Sequence, residues 1–378
     1  MLRILALSAI LLAFVAVARG PKSHELEGYT FSKYMQDFKK QYSTVEELAA
    51  REAIFNQRLE TIKKHNANPH ASWKKGVNHM SDWTEVERKA LNGLKYNSAN
   101  LATTKPLRTH LASGRALPPS VDYRRASPPI LSAVKDQGNC GSCWAHSATE
   151  TIESYWAMAT NELFTLSQEQ ITACTPNPNQ CGGSGGCGGN IYELGWDYVV
   201  GAGGVAQEWT YPYESYFGTT GTCYTFPIPN STRKFMPVAT ITGYVHVQKN
   251  SAEAVMDALA NVGPLSISLD ASEWFEYEGG IFTGCDFAKN ITIDHGVQLV
   301  GYGTDMGLGM DYWIVRNSWS PAWGEDGFIR LQRHSHSYCG WNKENDSQGI
   351  GCRGTPNTTY VCGMCGLAVD AAYVEVSP

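Results

Sequence analysis

At about 150 residues per domain, a chain of 378 residues has room for roughly two or three domains. Hydrophobic residues make up 43%, including 11 Trp, 19 Tyr and 12 Phe, so a mainly disordered chain is excluded. The net charge of −6 argues against general nucleic-acid binding, and the single long apolar run, at the start, excludes a multi-span membrane protein.

That run comes first in chain order. Arg3 precedes an apolar stretch over residues 4–17, broken only by Ser8 and ending in Ala16-Val17-Ala18. A positive start, a short greasy core and small residues at −3 and −1 predict a secretory signal peptide, residues 1–18, cut after Ala18. A membrane anchor fits less well, because the run is short and no basic stop-transfer cluster follows. Cysteines in such a chain are expected to pair, since its compartment is oxidising.

Residues 19–116 hold 17 Lys/Arg and 10 Asp/Glu, a net of +7. Residues 117–378 hold 12 and 26, a net of −14. A basic segment beside an acidic body is electrostatically complementary. The basic segment has no cysteine, and residues 46–64 predict a helix. Glu47, Arg51, Phe55, Arg58, Ile62 and Asn66 recur at intervals of 4, 4, 3, 4 and 4, along one face. Alone, this is the amphipathic helix of an ordinary helical domain. Residues 101–118, rich in Thr, Pro, Ser and Gly without periodicity, read as a cleavable linker.

The second half is Gly-rich, aromatic and cysteine-bearing. A helix is predicted over 142–160 and strands over 265–269, 297–300 and 312–315. All eleven cysteines lie beyond residue 139, and an odd count leaves one sulfur over if the rest pair. Four N-x-S/T sequons, at Asn230, Asn290, Asn345 and Asn357, lie here too. The densest motif is Gln137-Gly138-Asn139-Cys140-Gly141-Ser142-Cys143-Trp144-Ala145. Its C-x-x-C reads either as a thioredoxin-like redox pair or as one disulfide cysteine beside one nucleophile. A redox pair should follow a strand in a compact βαβ unit of a cysteine-poor chain, and here nine other cysteines surround it.

Cys140-Gly141-Ser142-Cys143-Trp144, with Asp294-His295-Gly296-Val297 and Arg316-Asn317-Ser318-Trp319 downstream, resembles the papain family of cysteine proteases, in cathepsin L-like style. Cys143 and His295 are 152 residues apart and His295 and Asn317 are 22 apart, with Gly/Pro-rich stretches at 176–186 and 216–230 as candidate inserted loops. The resemblance implies an α+β, papain-like two-domain fold: a helical left domain and a β-barrel-like right domain over 117–378, behind a helical propeptide. It implies Cys143 as nucleophile, His295 as general acid/base and Asn317 orienting the imidazole under Trp319. Gln137 and the Cys143 N–H would form the oxyanion hole. A thiolate is needed for attack, and a helix N-terminus at Cys143 would favour it. Asp294 invites a Ser-His-Asp reading, but the orienting role in this family belongs to Asn, so it is left out of the catalytic set.

Residues 29–93 resemble the family's inhibitory propeptide, whose interrupted helix motif matches at Glu47, Arg51, Phe55, Ile62 and Asn66, with Arg58 where Asn is usual. A shorter motif matches at Gly76, Asn78 and Asp82, with Met80 in place of Phe. Glu47 and Asp82 are the expected acid sensors, and the mature enzyme is expected to start near Leu117. Carried over by resemblance, Cys140 pairs with Cys187, Cys174 with Cys223 and Cys285 with Cys365. Cys181, Cys339, Cys352 and Cys362 remain, with three possible connectivities. A zinc site at Cys339, Cys352, Cys362 and Cys365 is disfavoured by the secretory context, and no metal or other cofactor is expected. His334 and His336 read as surface residues.

The expected substrate pocket comprises Gly189, Asn190, Ile191, Tyr192, Ile293 and Gly296, with Asp370 as its floor. Asn190 stands where relatives have a second glycine. An inward Asp370 would pair with a substrate Arg, whereas an outward one would sit on a solvent-facing loop. The expected protein is a monomeric endopeptidase, secreted or kept in a lysosome or vacuole, acting on proteins and peptides and inhibited by its own propeptide. A catalytically silent homologue would have lost the nucleophile or base, and this chain keeps both.

Overall fold

The structure, a computed structural model, describes residues 20–93, 108–224, 236–289, 291–335, 337–342, 352 and 358–378. The predicted signal peptide, the four sequon asparagines and His336 lie outside the described residues.

The basic segment folds around its own apolar cluster. Helix α1 (Phe31–Asp37) is capped by Thr30, whose hydroxyl accepts from the Lys33 N–H. Helix α2 (Val45–Asn66) is capped in the same way by Thr44, with Glu46 and Glu47 in its first turn and Lys63, Lys64 and His65 in its last. Charge at both ends opposes the helix dipole, so α2 runs slightly past the predicted 46–64. Phe55, Leu59 and Ile62 face inward and pack with Leu26, Phe31, Tyr34 and Val77. Strand β1 (Trp73–Lys75) follows, then α3 (Glu85–Leu91), where Thr84 and Glu87 form a reciprocal capping box.

The predicted linker is partly structured. Strand β2 (Thr109–His110) lies within it, and His110 and Ser113 bind the two carboxylate oxygens of Asp257. After β3 (Val121–Asp122) come α4 (Cys143–Thr160), α5 (Gln168–Cys174) and α6 (Tyr192–Ala202), the helical layer of the acidic body. The rest is mainly strands: β4 (Ile241–Val247), helix α7 (Ala252–Asn261), β5 (Leu265–Leu269), β6 (Tyr277–Phe282), β7 (His295–Asp305), β8 (Met310–Arg316) and β9 (Phe328–Gln332). The hairpin β10 (Cys339–Asn342) and β11 (Thr359–Cys362), and then β12 (Asp370–Val376), complete it. The three predicted strands fall in β5, β7 and β8. The main sheet runs β1-β6-β9-β8-β7-β5-β12-β4-β2, with β3 on β7.

This order joins the two halves. Strand β1 adds antiparallel to β6 with Trp73 opposite Gly280, a glycine at φ +95° where a Cβ would meet the Ser72 carbonyl at 2.4 Å. The Trp73 ring then packs on Phe282 at 4.6 Å. Helix α4 is buried along most of its length, so its acids need internal partners. Glu153 accepts from the Lys135 ammonium at 2.6 Å, and Glu150 faces the Arg316 guanidinium at 3.4 Å. Arg316 also donates to the Ala133 carbonyl at 2.5 Å, tying the end of β8 to the segment that leads into α4.

All five disulfides are formed: Cys140–Cys187, Cys174–Cys223, Cys181–Cys352, Cys285–Cys365 and Cys339–Cys362. They use every thiol of the alternative zinc reading and leave Cys143 as the one free cysteine. His334 is half-buried, with its ring stacked on Tyr338 at 4.1 Å.

Candidate active site

Cys143 is the first residue of α4, where unpaired backbone N–H groups and the helix dipole favour negative charge. The Cys140–Cys187 bridge anchors the approach. The Gly296 N–H donates to the Cys143 Sγ at 3.5 Å. Gly296 and His295 open strand β7, held in register by the pairs Ser268–Gly296 and Leu269–His295 with β5. Asn317 follows β8, and its N–H is fixed on the Gly327 carbonyl at 3.0 Å. Its Oδ1 lies 2.8 Å from His295 Nε2, so Nδ1 is the ring nitrogen left without a partner. The imidazole sits against Trp319, 4.9 Å between ring centres, with Trp274 edge-on at 6.1 Å.

Gln137 is fixed from both ends. Its carbonyl oxygen accepts from the Ser318 hydroxyl at 2.6 Å, which turns the amide nitrogen outward. That nitrogen donates at 2.8 Å to the Cys140 carbonyl and at 2.8 Å to the carbonyl of Leu91. Leu91 ends α3, so the basic segment itself fills the site. The next residue, Asn92, donates through Nδ2 to Asp294 Oδ2 at 2.8 Å. The Gly93 carbonyl then accepts from the Asn190 N–H at 3.0 Å. A Cβ on Gly93 would lie 1.8 Å from the Gly141 carbonyl, so only glycine fits this crossing.

Beneath this cover Cys143 and His295 are fully buried. Burial pushes the Cys143 thiol up to about 12, against the N–H groups of Gly296, Gly93 and Trp144. Burial likewise pulls His295 down to about 4, against its hydrogen bond to Asn317. Burial thus opposes charge on both groups while they are covered, and works against the favourable helix N-terminus at Cys143.

Around the cleft, Gly189 stands at φ +96° with its Cβ position 2.6 Å from the Gly93 carbonyl. Ile191, Tyr192 and Ile293 are buried, and the Tyr192 ring lies 4.9 Å from Trp196. Asp370 is buried and accepts from the Ser268 hydroxyl at 2.6 Å, so it does not turn outward. Asp294, excluded from the catalytic set, accepts from Asn92 and from the Ala271 N–H. Three participants carried no sequence signal. They are Leu91, Asn92 and Gly93, of which Leu91 and Gly93 act through backbone carbonyls that any residue supplies.

The basic cap is anchored beside the cleft by charge. The Arg88 guanidinium reaches Glu276 at 2.5 Å and stacks over Phe275 at 4.9 Å. Inside the cap, buried Asp82 accepts from Tyr34, Lys40 and Tyr42. Arg51 binds Glu87 through two nitrogens, the longer contact 2.7 Å, while Glu47 stands off at 3.8 Å. Glu87 is thus the principal partner of Arg51.

Comparison with known proteins agrees with this geometry. The profile of the papain family cysteine proteases matches residues 117–348, and that of the cathepsin propeptide inhibitor domain matches residues 31–87. Cathepsin L of Sarcophaga peregrina is 34% identical over 345 residues, covering 87% of this chain and 95% of its own. A cathepsin L-like peptidase of Aedes aegypti is 33% identical over 344 residues, covering 88% and 96%. Among solved structures, digestive procathepsin L2 from the larval midgut of Tenebrio molitor superposes with a TM-score of 0.72 at 29% identity, covering 91% of this chain and 98% of that one. The chain belongs to the papain family of cysteine proteases. It carries a cathepsin-type inhibitory propeptide ahead of its peptidase domain.

Proposed function

We propose that the protein is an endopeptidase made as a zymogen, in which Cys143 attacks the peptide carbonyl and His295 moves the proton. With Nε2 committed to Asn317, Nδ1 is free to take the thiol proton and pass it to the leaving amine. The Cys143 sulfur bonds to the carbonyl carbon, the C–N bond breaks, and the amine leaves. Water then attacks the thioester, returning its proton through His295 and releasing the acid. Gln137 Nε2 and the Cys143 N–H hold the oxyanion, and Trp319 keeps water from the His295–Asn317 hydrogen bond.

The observation that carries this reading is the Leu91 carbonyl on the Gln137 amide. A carbonyl already rests where the oxyanion would develop, and two residues later Gly93 binds Asn190 on the pocket side. A substrate reaches the pocket before the scissile carbonyl, whereas this segment meets Gln137 first. It therefore runs in reverse and blocks the site without presenting a bond for cleavage.

Residues 1–18 act as the signal peptide, 19–116 as propeptide and linker, and 117–378 as the monomeric peptidase, retained in a lysosome or vacuole or secreted. Acid releases the cap. Burial opposes ionisation of Asp82, but Lys40 and the hydrogen bonds of Tyr34 and Tyr42 outweigh it and hold its pKa below the usual range. The Arg51 hydrogen bonds, helped by Thr84, pull Glu87 down to about 2 from 4.5. Depressed carboxylates stabilise the cap above their unfolded values, and that stability is lost as pH falls through the folded ones. The cap thus loosens progressively below pH 5 or so. Buried Asp370 as pocket floor, with Ile191 and Ile293 as apolar walls, supports dual acceptance of the residue two before the cut: Leu, Phe or Val by the walls, Arg by the carboxylate. The test is activity and chain length of the purified precursor from pH 7 to pH 4. The reading requires peptide hydrolysis to appear together with shortening in acid, and equally fast maturation at neutral pH would contradict it.

A further inference from the structure

Behind the cleft floor three ionisable side chains converge from three different elements. Asp370 opens β12, whose Ala372 lies opposite His246 of β4, so the alternation of side chains puts Asp370 and His246 on one face. Glu193 stands in the first turn of α6, which packs on β4 through Trp196 against Tyr244, 5.4 Å between ring centres. One donor atom from each of Glu193, His246 and Asp370 lies within 4.8 Å of the others.

Their surroundings leave this charge poorly satisfied. Glu193 is 2% exposed and Asp370 5% exposed. Nε2 of His246 is buried and has no hydrogen-bond partner among the described residues. The Glu193 carboxylate accepts from its own backbone N–H, and Asp370 accepts from the Ser268 hydroxyl. Burial, with the charge of Asp370 beside it, holds the Glu193 pKa well above its ordinary value. Two buried carboxylates side by side need a proton or a cation between them. Lys249 adds positive charge on the Asp370 side.

We propose that Glu193, His246 and Asp370 form a binding site for a divalent first-row metal ion, Zn²⁺ by preference. One imidazole and two carboxylates are donors that Zn²⁺ accepts, and the imidazole disfavours Mg²⁺ and Ca²⁺. Ligand bonds of about 2.0–2.2 Å require the three donors to draw together by roughly an ångström, and leave a fourth position open. The site departs from the expectation that the chain holds no metal. It uses neither the thiol nor the imidazole of the catalytic reading, so its failure would leave that mechanism standing. It shares Asp370 with the proposed pocket floor, where a bound ion would compete with a substrate Arg.

The test is calorimetric titration of the full-length precursor carrying Cys143→Ser with ZnCl2 at neutral pH. Removing the active-site thiol eliminates the competing sulfur ligand. One Zn²⁺ per chain should bind, weakened about tenfold or more in both His246→Ala and Glu193→Gln. Glu193→Gln keeps the side-chain volume, and circular dichroism establishes that each variant is folded. His110→Ala, a control imidazole on β2, should bind as the parent does. In a parallel titration with Co²⁺, the visible absorption should change in His246→Ala. No saturable uptake below roughly 1 mM Zn²⁺ would overturn the proposal. So would equal uptake in the parent and both folded variants.

Discussion

In the proposed mechanism Cys143 and Gln137 contribute different terms to the same barrier, so their removal should read differently. Cys143→Ser removes the nucleophile and should abolish hydrolysis while leaving a folded, capped chain. Gln137→Ala removes one oxyanion donor and should lower kcat on the order of 10²-fold or more. Steady-state kinetics on the matured proteins checks both, and substantial turnover in Cys143→Ser would refute the mechanism. In the same proposal Asp370 acts on specificity instead. Asp370→Ala should reduce cleavage of substrates with Arg two before the cut by roughly 10–100-fold, about 1.4–2.8 kcal/mol, and leave Leu substrates nearly unchanged. Equal losses on both substrate types would remove Asp370 from the pocket floor. The core of this site was legible because its chemistry dictates residue type inside short motifs. Asp370 was legible only as a position: the sequence left open which way it turned, and its bond to the Ser268 hydroxyl depends on β12 pairing with β5.

At the level of elements, the proposed closure of the site lies in the end of α3 and the two residues that follow it, Asn92 and Gly93. Gly93→Ala places a Cβ against the Gly141 carbonyl, so the chain must lift from the cleft. The isolated propeptide with this change should inhibit the mature enzyme at least about tenfold less well, the equivalent of about 1.4 kcal/mol. An unchanged inhibition constant would show that the crossing is not what closes the site. Glu87 sets part of the pH response. Its Arg51 contact is present above pH 4.5 and fades as pH falls toward 2, so inhibition should weaken through that window. Glu87→Gln should weaken inhibition at pH 7 by about 1 kcal/mol or less, the pair being half-exposed, and flatten the pH dependence. The same slope in parent and variant would dismiss Glu87 as a sensor. The spacing within α2 put Glu47 and Arg51 on one face of the helix. Glu87 was not visible there, because it reaches Arg51 through a tertiary fold of α3 over α2.

Over the whole molecule, the division of charge becomes a set of contacts. The cap's Arg88 meets Glu276 of the body, Arg58 approaches the same carboxylate at 3.8 Å, and Lys22 faces Glu278 at 4.0 Å. The boundary between basic and acidic halves was readable from composition alone. The way they join was not, because β1 enters the body's sheet through three residues with no strand signal of their own. The same holds for Cys181–Cys352, which spans 171 residues and which counting cysteines left among three connectivities. In the proposed zymogen both halves act together: the cap covers the cleft, and burial there opposes charge on thiol and imidazole. The most direct measurement is the rate at which an irreversible epoxide inhibitor of thiol proteases labels Cys143, followed by peptide mass spectrometry. The intact precursor at neutral pH should remain unlabelled, and acid-treated protein should take up one inhibitor per chain, on Cys143. Fast labelling of Cys143 in the intact precursor, or none after the cap is removed, would contradict the account.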